Sequence, residues 1–127
     1  MHALRTHLSR TAVKRGAYAA LAALVLAAAI GEMRRGAGGW LFFAFATVPD
    51  LALLLGLARG LEQGRLHPRA VPLYNAAHSL WGPALLAVAA VGLPAGWLLA
   101  ALGWALHISL DRSLGYGMRT RDGFQRS

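Results

Sequence analysis

The stretch that decides the fold is an apolar block at residues 94–114, PAGWLLAALGWALHISLDRSL. Its length matches the roughly 20 residues that a helix needs to cross the hydrocarbon core of a bilayer. Its charged residues, Asp111 and Arg112, stand near its end. Pro94 can occupy the first helical turn, where a missing backbone N–H costs nothing. The block therefore predicts a transmembrane helix.

Three more apolar blocks of similar length precede it, at about residues 14–33, 38–58 and 71–91. Hydrophobic residues make up 57% of the 127-residue chain and charged residues 14%. A soluble domain carries about 25% charged residues, and so small a soluble chain could not bury four such blocks. The blocks are also too long and continuous for barrel strands. The sequence therefore predicts an all-α fold, a four-transmembrane-helix bundle that forms a single domain, 1–127.

Basic residues lie in the gaps between the blocks and are unevenly shared between the two sides of the predicted bundle. One side receives the N-terminal segment, the second loop and the C-terminal end, with Arg5, Arg10, Lys14, Arg15, Arg59, Arg65, Arg69, Arg112, Arg119, Arg121 and Arg126. The other side receives Arg34 and Arg35 from the first loop and none from the third. The positive-inside rule then predicts a multi-pass protein of the cell's inner membrane, with both termini in the cytoplasm.

The charge and composition also limit the kinds of partner that we expect. A formal net charge of +8 would suggest nucleic-acid binding in a soluble protein. Here the sequence has no basic stripe or aromatic platform, so nucleic acid is not an expected partner. The expected partners are the lipid bilayer and its anionic headgroups, which attract juxtamembrane Arg and Lys. The chain has no cysteine, which excludes disulfides, thiolate catalysis and zinc–cysteine sites.

The first apolar block has a second interpretation. Basic residues precede an apolar run at 16–30 that includes Ala27-Ala28-Ala29. The same pattern describes a cleavable signal peptide. Because three further apolar blocks follow, we favour a retained first helix.

Ionisable residues inside the blocks are the best candidates for a functional site, because a charge at the centre of a membrane helix costs about 2.5–3.5 kcal/mol. Asp50, His78, His107 and Asp111 come from three blocks but should lie at similar depth, roughly 5–12 Å inside the cytoplasmic boundary at 1.5 Å per residue. His107 and Asp111 are four residues apart and share a helix face. Two imidazoles and two carboxylates that converge would suit zinc, manganese or iron.

Four further polar residues are expected to bind substrate or to support the ligands. They are Tyr74, Asn75, Ser79 and Arg112. Two prolines should interrupt the helices beside this cluster. Pro49 is predicted to remove a backbone hydrogen bond and kink the second helix, and Pro83 is predicted to do the same to the third helix, which would free the carbonyl of Ser79.

Three functions remain open from the residues alone. The first is a cytoplasm-facing intramembrane metal site that assists hydrolysis by activating water. The second is a non-enzymatic scaffold or partner subunit, in which the same polar groups fix helix packing through hydrogen bonds and ion pairs. The third is a small proton-coupled carrier, which would have to be a homo-oligomer because four helices are few for a carrier.

Three segments, 48–50 (VPD), 74–79 (YNAAHS) and 107–119 (HISLDRSLGYGMR), follow one another in an order and spacing that resemble a known family. It is the bacterial membrane family called domain of unknown function 4260, whose members look like four-helix proteins with a Phe after the last element, matched here by Phe124. The resemblance covers about 38–124 and implies a fold but no activity. A looser similarity is to membrane-bound metal-dependent hydrolases, which also place His and Asp on several helices near one face.

This chain departs from the family pattern at two positions. Lys14-Arg15-Gly16 stands where members tend to carry an acidic residue. Gln125-Arg126-Ser127 closes the chain where members tend to carry a Thr-His pair after the Phe.

Overall fold

A computed structural model describes residues 1–126, so Ser127, the last residue of the predicted domain 1–127, lies outside the described residues. Within residues 1–126 the chain forms helices and no strand, apart from an isolated antiparallel bridge between Arg119 and Gln125. The prediction of an all-α fold is therefore confirmed. The α-helices are α1 (His2–Arg34), α2 (Trp40–Thr47), α3 (Leu51–Leu55), α4 (Val71–Ala77), α5 (Trp81–Ala89) and α6 (Gly96–Leu114). Three 3-10 turns are Val48–Asp50, Pro68–Ala70 and Ala90–Gly92.

Helix α6 lies at the centre of the structure, and α1, α2 and α5 pack around it. The Arg15 guanidinium reaches the last turn of α6, while Ala29, at the other end of α1, shares a core cluster with Phe42 and Leu99. Helices α1 and α6 are therefore antiparallel.

Two glycines let the neighbouring helices come close to α6. A Cβ atom on Gly103 would collide with the backbone carbonyl of Phe42 in α2. A Cβ atom on Gly82 of α5 would collide with the Trp104 ring of α6. These approaches place the first turns of α2 and α5 directly against the middle of α6.

The helix boundaries differ from the sequence prediction: the first helix is longer, and the second and third are interrupted. The first helix begins at His2 rather than near residue 14, because no glycine or proline interrupts residues 2–15. The predicted helix at 38–58 spans 40–55, and a 3-10 turn interrupts it around Pro49, where a kink was predicted. The predicted helix at 71–91 is divided at 78–80, and the predicted helix at 94–114 begins at Gly96.

By length and composition, α1 is the one helix among residues 1–126 that could cross a membrane. Breaks in the next two segments leave shorter apolar helices at Trp40–Leu55 and Trp81–Gly92. The four-span bundle and the orientation of its termini therefore stay predictions.

Candidate metal site

Two imidazoles and two carboxylates meet where α6 passes the breaks in its neighbours. The four side chains of Asp50, His78, His107 and Asp111 each offer a ligand atom, and these atoms all lie within 4.8 Å of one another. His107 Nε2 is 3.2 Å from Asp50 Oδ1 and 3.3 Å from Asp111 Oδ2. His78 Nε2 is 3.7 Å and 3.4 Å from the same two oxygens. The structure thus brings together all four residues that depth and spacing had selected.

Both imidazoles are held by their other nitrogen. His78 Nδ1 lies 2.9 Å from the carbonyl oxygen of Tyr74, and His107 Nδ1 lies 2.7 Å from that of Ala46. A carbonyl accepts and cannot donate, so each Nδ1 carries a proton and donates it. Each Nε2 atom then faces into the cluster, where it offers a lone pair to a metal ion whenever the ring is neutral. A second hydrogen bond of this kind orients most metal-binding histidines in proteins.

The 3-10 turn at Pro49 makes a backbone carbonyl available to His107. Proline has no N–H, and the chain tightens into a 3-10 turn from Val48 to Asp50. In a 3-10 turn each amide bonds three residues back, so the amide of Asp50 no longer needs the carbonyl of Ala46. That carbonyl is then available to the imidazole of His107 on α6. The same turn ends with Asp50. The turn therefore frees the carbonyl that holds the His107 ring and also places the Asp50 carboxylate beside that ring.

The break between α4 and α5 sets the position of His78. Helix α4 ends at Ala77, whose carbonyl accepts a hydrogen bond from Trp104 Nε1 at 2.6 Å. The His78 carbonyl accepts one from Arg112 Nη2 at 3.0 Å. Two carbonyls that the break would leave unbonded are therefore satisfied by side chains of α6. Arg112 acts here by holding the backbone of a candidate ligand.

The prediction for Pro83 is wrong. The Ser79 carbonyl is not free, because the N–H of Gly82 donates to it at 3.2 Å. The break lies upstream of the proline, which sits in the first turns of α5 where a missing N–H is tolerated. The Ser79 hydroxyl accepts from the N–H of Trp81 at 3.4 Å, so it bonds within the break and not to the cluster.

Tyr74 and Asn75 support the cluster from α4. The Tyr74 ring stacks on the His78 ring with centroids 4.0 Å apart and planes 17° apart. Asn75 binds the backbone of the C-terminal segment twice, donating from Nδ2 to the Arg119 carbonyl at 3.0 Å and accepting from the Arg119 N–H at 2.7 Å. The Arg119 guanidinium in turn lies over the Tyr74 ring, 5.0 Å from its centroid. This stack of three side chains fixes the imidazole plane of His78.

A cavity of about 370 Å³ opens beside the two carboxylates. Asp50 and Asp111 line it together with Tyr74, Tyr116, Arg119 and Gln125. The imidazoles lie deeper, with side chains 3% exposed for His78 and 10% for His107, against 55% for Asp50 and 27% for Asp111. The cluster is therefore closed behind the histidines and open in front of the aspartates.

Sequence reasoning missed the part played by the C-terminal segment. Gly115 ends α6 with a φ of 95°. The segment that follows contains Tyr116, Arg119 and Gln125, which line the cavity and were not among the predicted site residues. The available signal was the long family-like element at 107–119, which continues past the end of the helix.

A family model matches the part of the chain that contains the candidate site. The model of the family described as Domain of unknown function (DUF4260) matches residues 15–127. The chain belongs to this family. The match includes most of α1, all four candidate ligands and the segment that closes the cavity. No curated protein and no solved structure matches the chain.

Proposed function

We propose that this chain is an integral membrane protein that binds one divalent metal ion through Asp50, His78, His107 and Asp111 and uses it in hydrolysis. The observation that carries the proposal is the spacing of the four ligand atoms around one centre. Membrane location, metal binding and hydrolysis are each supported by a different observation.

The membrane part is supported by what α1 exposes. The most apolar stretch of this helix is only 17% buried, whereas the core helix of a soluble protein is mostly buried. Large apolar side chains also point outward from the other peripheral helices, among them Phe43, Leu54, Trp81, Leu85 and Val88. Apolar surface of this extent fits contact with lipid. With the basic residues at the end that carries the cluster, the positive-inside rule favours a multi-pass protein with N- and C-termini in the cytoplasm.

Retention of α1 is supported by its packing. Ala29 is fully buried in a cluster with Phe42 and Leu99, and Arg15 binds two carbonyls at the end of α6. A cleaved signal peptide would not supply core contacts. The family match also begins at residue 15, at the start of the apolar part of this helix.

The metal part is supported by distances. A tetrahedral ion with bonds of about 2.0–2.1 Å sets its ligand atoms about 3.3–3.4 Å apart. Four imidazole–carboxylate distances and the 3.3 Å between the two Nε2 atoms lie between 3.2 and 3.7 Å. Two nitrogen and two oxygen ligands suit zinc, manganese or iron, and a metal that accepts a fifth or sixth ligand would keep a position for water.

Hydrolysis is supported by the opening in front of the carboxylates. A catalytic metal keeps a position for water or substrate, and the cavity of about 370 Å³ adjoins the cluster on the side of Asp50. A metal bound there would supply an activated water. Arg119 and Gln125 face the same cavity and offer N–H donors to a polar group of the substrate.

Metal analysis of the full-length protein, purified in a mild detergent, tests the proposal. We expect about one zinc, manganese or iron ion per chain by mass spectrometry after loading, and loss of that ion in His78→Ala and in His107→Ala. His7→Ala is the matched control, because His7 is exposed on the N-terminal part of α1 and is not a member of the cluster. Helix content by circular dichroism must be equal in all four proteins. Absence of stoichiometric metal under every loading condition would refute the metal site.

The scaffold hypothesis is tested with isosteric variants of the same cluster. Without a metal, protonated imidazoles would pair with the same carboxylates and fix the packing of α2, α4 and α6. Asp50→Asn and His107→Gln would then leave fold and phenotype nearly intact. A sharp loss of phenotype in folded protein would exclude a role limited to packing.

Membrane topology can be tested directly, since the chain has no cysteine. Single cysteines at Ser9 and Glu62 should be shielded from a membrane-impermeant maleimide in spheroplasts, and cysteines at Ala37 and Ala95 should be labelled. All four positions should react equally after detergent is added. Labelling of Ser9→Cys in intact spheroplasts would contradict a cytoplasmic N-terminus.

A further inference from the structure

A second cavity lies on the other side of the C-terminal segment, where α1 crosses the end of α6. Its volume is about 460 Å³, larger than that of the cavity beside the aspartates. None of the four candidate metal ligands lines it. Tyr116 stands between the two cavities and contributes to both walls. The second cavity is therefore a separate space that the metal site does not explain.

The lining of this cavity is strongly basic. Lys14 and Arg15 face it from α1, Arg112 from α6 and Arg126 from the end of the described chain. Among residues 1–126, no aspartate or glutamate lines it. Four cations around one space repel one another unless an anion lies among them.

Two of these cations are already fixed in place. Arg15 donates from Nε to the carbonyl of Ser113 at 2.9 Å and from Nη2 to that of Leu114 at 3.1 Å. Arg112 donates from Nη2 to the His78 carbonyl at 3.0 Å. Carbonyl groups orient a guanidinium but carry no net charge to neutralise it. A guanidinium has five N–H donors, so both side chains keep donors for another acceptor.

Two oriented guanidinium groups beside an ammonium group favour phosphate over other anions. Planar guanidinium binds phosphate through two parallel hydrogen bonds, and lysine adds a point charge. The cavity is much larger than a single ion, which leaves room for the group that the phosphate esterifies. We propose that this cavity binds the phosphate group of an anionic ligand, either a phospholipid headgroup or a soluble phosphate compound.

The position of the cavity makes both sources accessible. It lies at the end of the bundle that carries the basic residues, and the exposed side chain of Leu114 is part of its wall. The inference does not depend on a metal ion, because no metal ligand takes part.

Binding is measured on the full-length protein in dodecyl maltoside after EDTA treatment, so that a metal ion contributes nothing to phosphate binding. Native mass spectrometry counts bound dioleoyl phosphatidylglycerol, with dioleoyl phosphatidylcholine as the comparison lipid. Equilibrium dialysis measures radiolabelled inorganic phosphate. We expect saturable binding of one phosphatidylglycerol or one phosphate per chain.

Two charge-matched variants distinguish the cavity from general electrostatic attraction. Lys14→Gln with Arg126→Gln removes two lining cations, and Arg5→Gln with Arg121→Gln removes two exposed cations elsewhere. The first variant should bind at least about tenfold more weakly, because two cations that can contact the phosphate are lost, while the second should stay near wild type. Lys14→Glu, a single change on the exposed side of α1, replaces the first variant if that one does not fold.

The results have distinct meanings. Specific weakening with phosphatidylglycerol alone indicates a lipid headgroup site, and weakening with both probes indicates a site for the phosphate group itself. Equal weakening in the two charge-matched variants, or no saturable binding of either probe, would overturn the proposal. The metal measurement is unaffected by these variants, so the two proposals can fail independently.

Discussion

The Nε2 atoms of His78 and His107 face each other at 3.3 Å, while the Nδ1 atom of each ring turns to a backbone carbonyl. With both Nδ1 atoms protonated, two lone pairs and two carboxylates point at the same small volume. Such an arrangement is stable only around positive charge, supplied by protons on the imidazoles or by a metal ion. The relationship between the two rings therefore gives the metal proposal a physical basis.

Acid should displace the proposed metal, because protons compete with the ion for both Nε2 atoms. We expect the zinc content of wild-type protein to fall as the dialysis pH is lowered from about 8 to about 5 and to recover when the pH is raised. Asp122→Asn should follow the wild-type curve, since Asp122 is exposed and lies outside the cluster. Asp111→Asn should hold less zinc at every pH. A zinc content that does not change with pH would place the ion elsewhere.

The Tyr74 ring should be essential for stability, and its hydroxyl should not. The side chain is 4% exposed, its ring stacks on the His78 ring, and the Arg119 guanidinium lies over it. Tyr74→Ala should lower the free energy of unfolding by about 3–5 kcal/mol through loss of a buried aromatic ring. Tyr74→Phe keeps the stack and should cost less than about 1.5 kcal/mol. Thermal unfolding in detergent measures both, and similar midpoints for the two variants would contradict the stack.

Gly103 should tolerate no side chain, because α2 and α6 touch there through the carbonyl of Phe42. Gly103→Ala should destabilise the protein by about 1–3 kcal/mol, since the two helices would have to separate. Gly31 is also helical but has open space around it, so Gly31→Ala should be neutral or stabilising by up to about 1 kcal/mol. Unfolding monitored by circular dichroism gives the comparison. A stable Gly103→Ala protein would mean that the helices are packed less closely.

Asn75 should hold the C-terminal segment against α4. Asn75→Ala removes both hydrogen bonds to the Arg119 backbone, each contributing about 0.5–1.5 kcal/mol. We expect faster amide exchange across residues 115–126 by mass spectrometry, with little change in α6. Gln63→Ala, in an exposed loop, is the matched control and should leave exchange unchanged. Equal exchange in both variants would show that other contacts hold the segment.

A large part of the candidate site follows from local sequence. Helical spacing puts His107 and Asp111 on one face of α6, and Pro49 forces the turn that ends with Asp50. These effects act over a few residues, so they can be inferred without any knowledge of packing. The same holds for the all-α fold, because long apolar blocks favour helices wherever they are placed.

What the tertiary structure decided is how distant groups meet. The sequence alone could not show that the carbonyl of Ala46 would anchor a ring 61 positions away, or that Asn75 would bind Arg119 across 44 positions. Nor could it locate the second break at His78 rather than at Pro83, because side chains of α6 satisfy the carbonyls that this break leaves unbonded. Periodicity determines which residues share a helix face, but the rotation and close approach of neighbouring helices determine which backbone groups those residues reach.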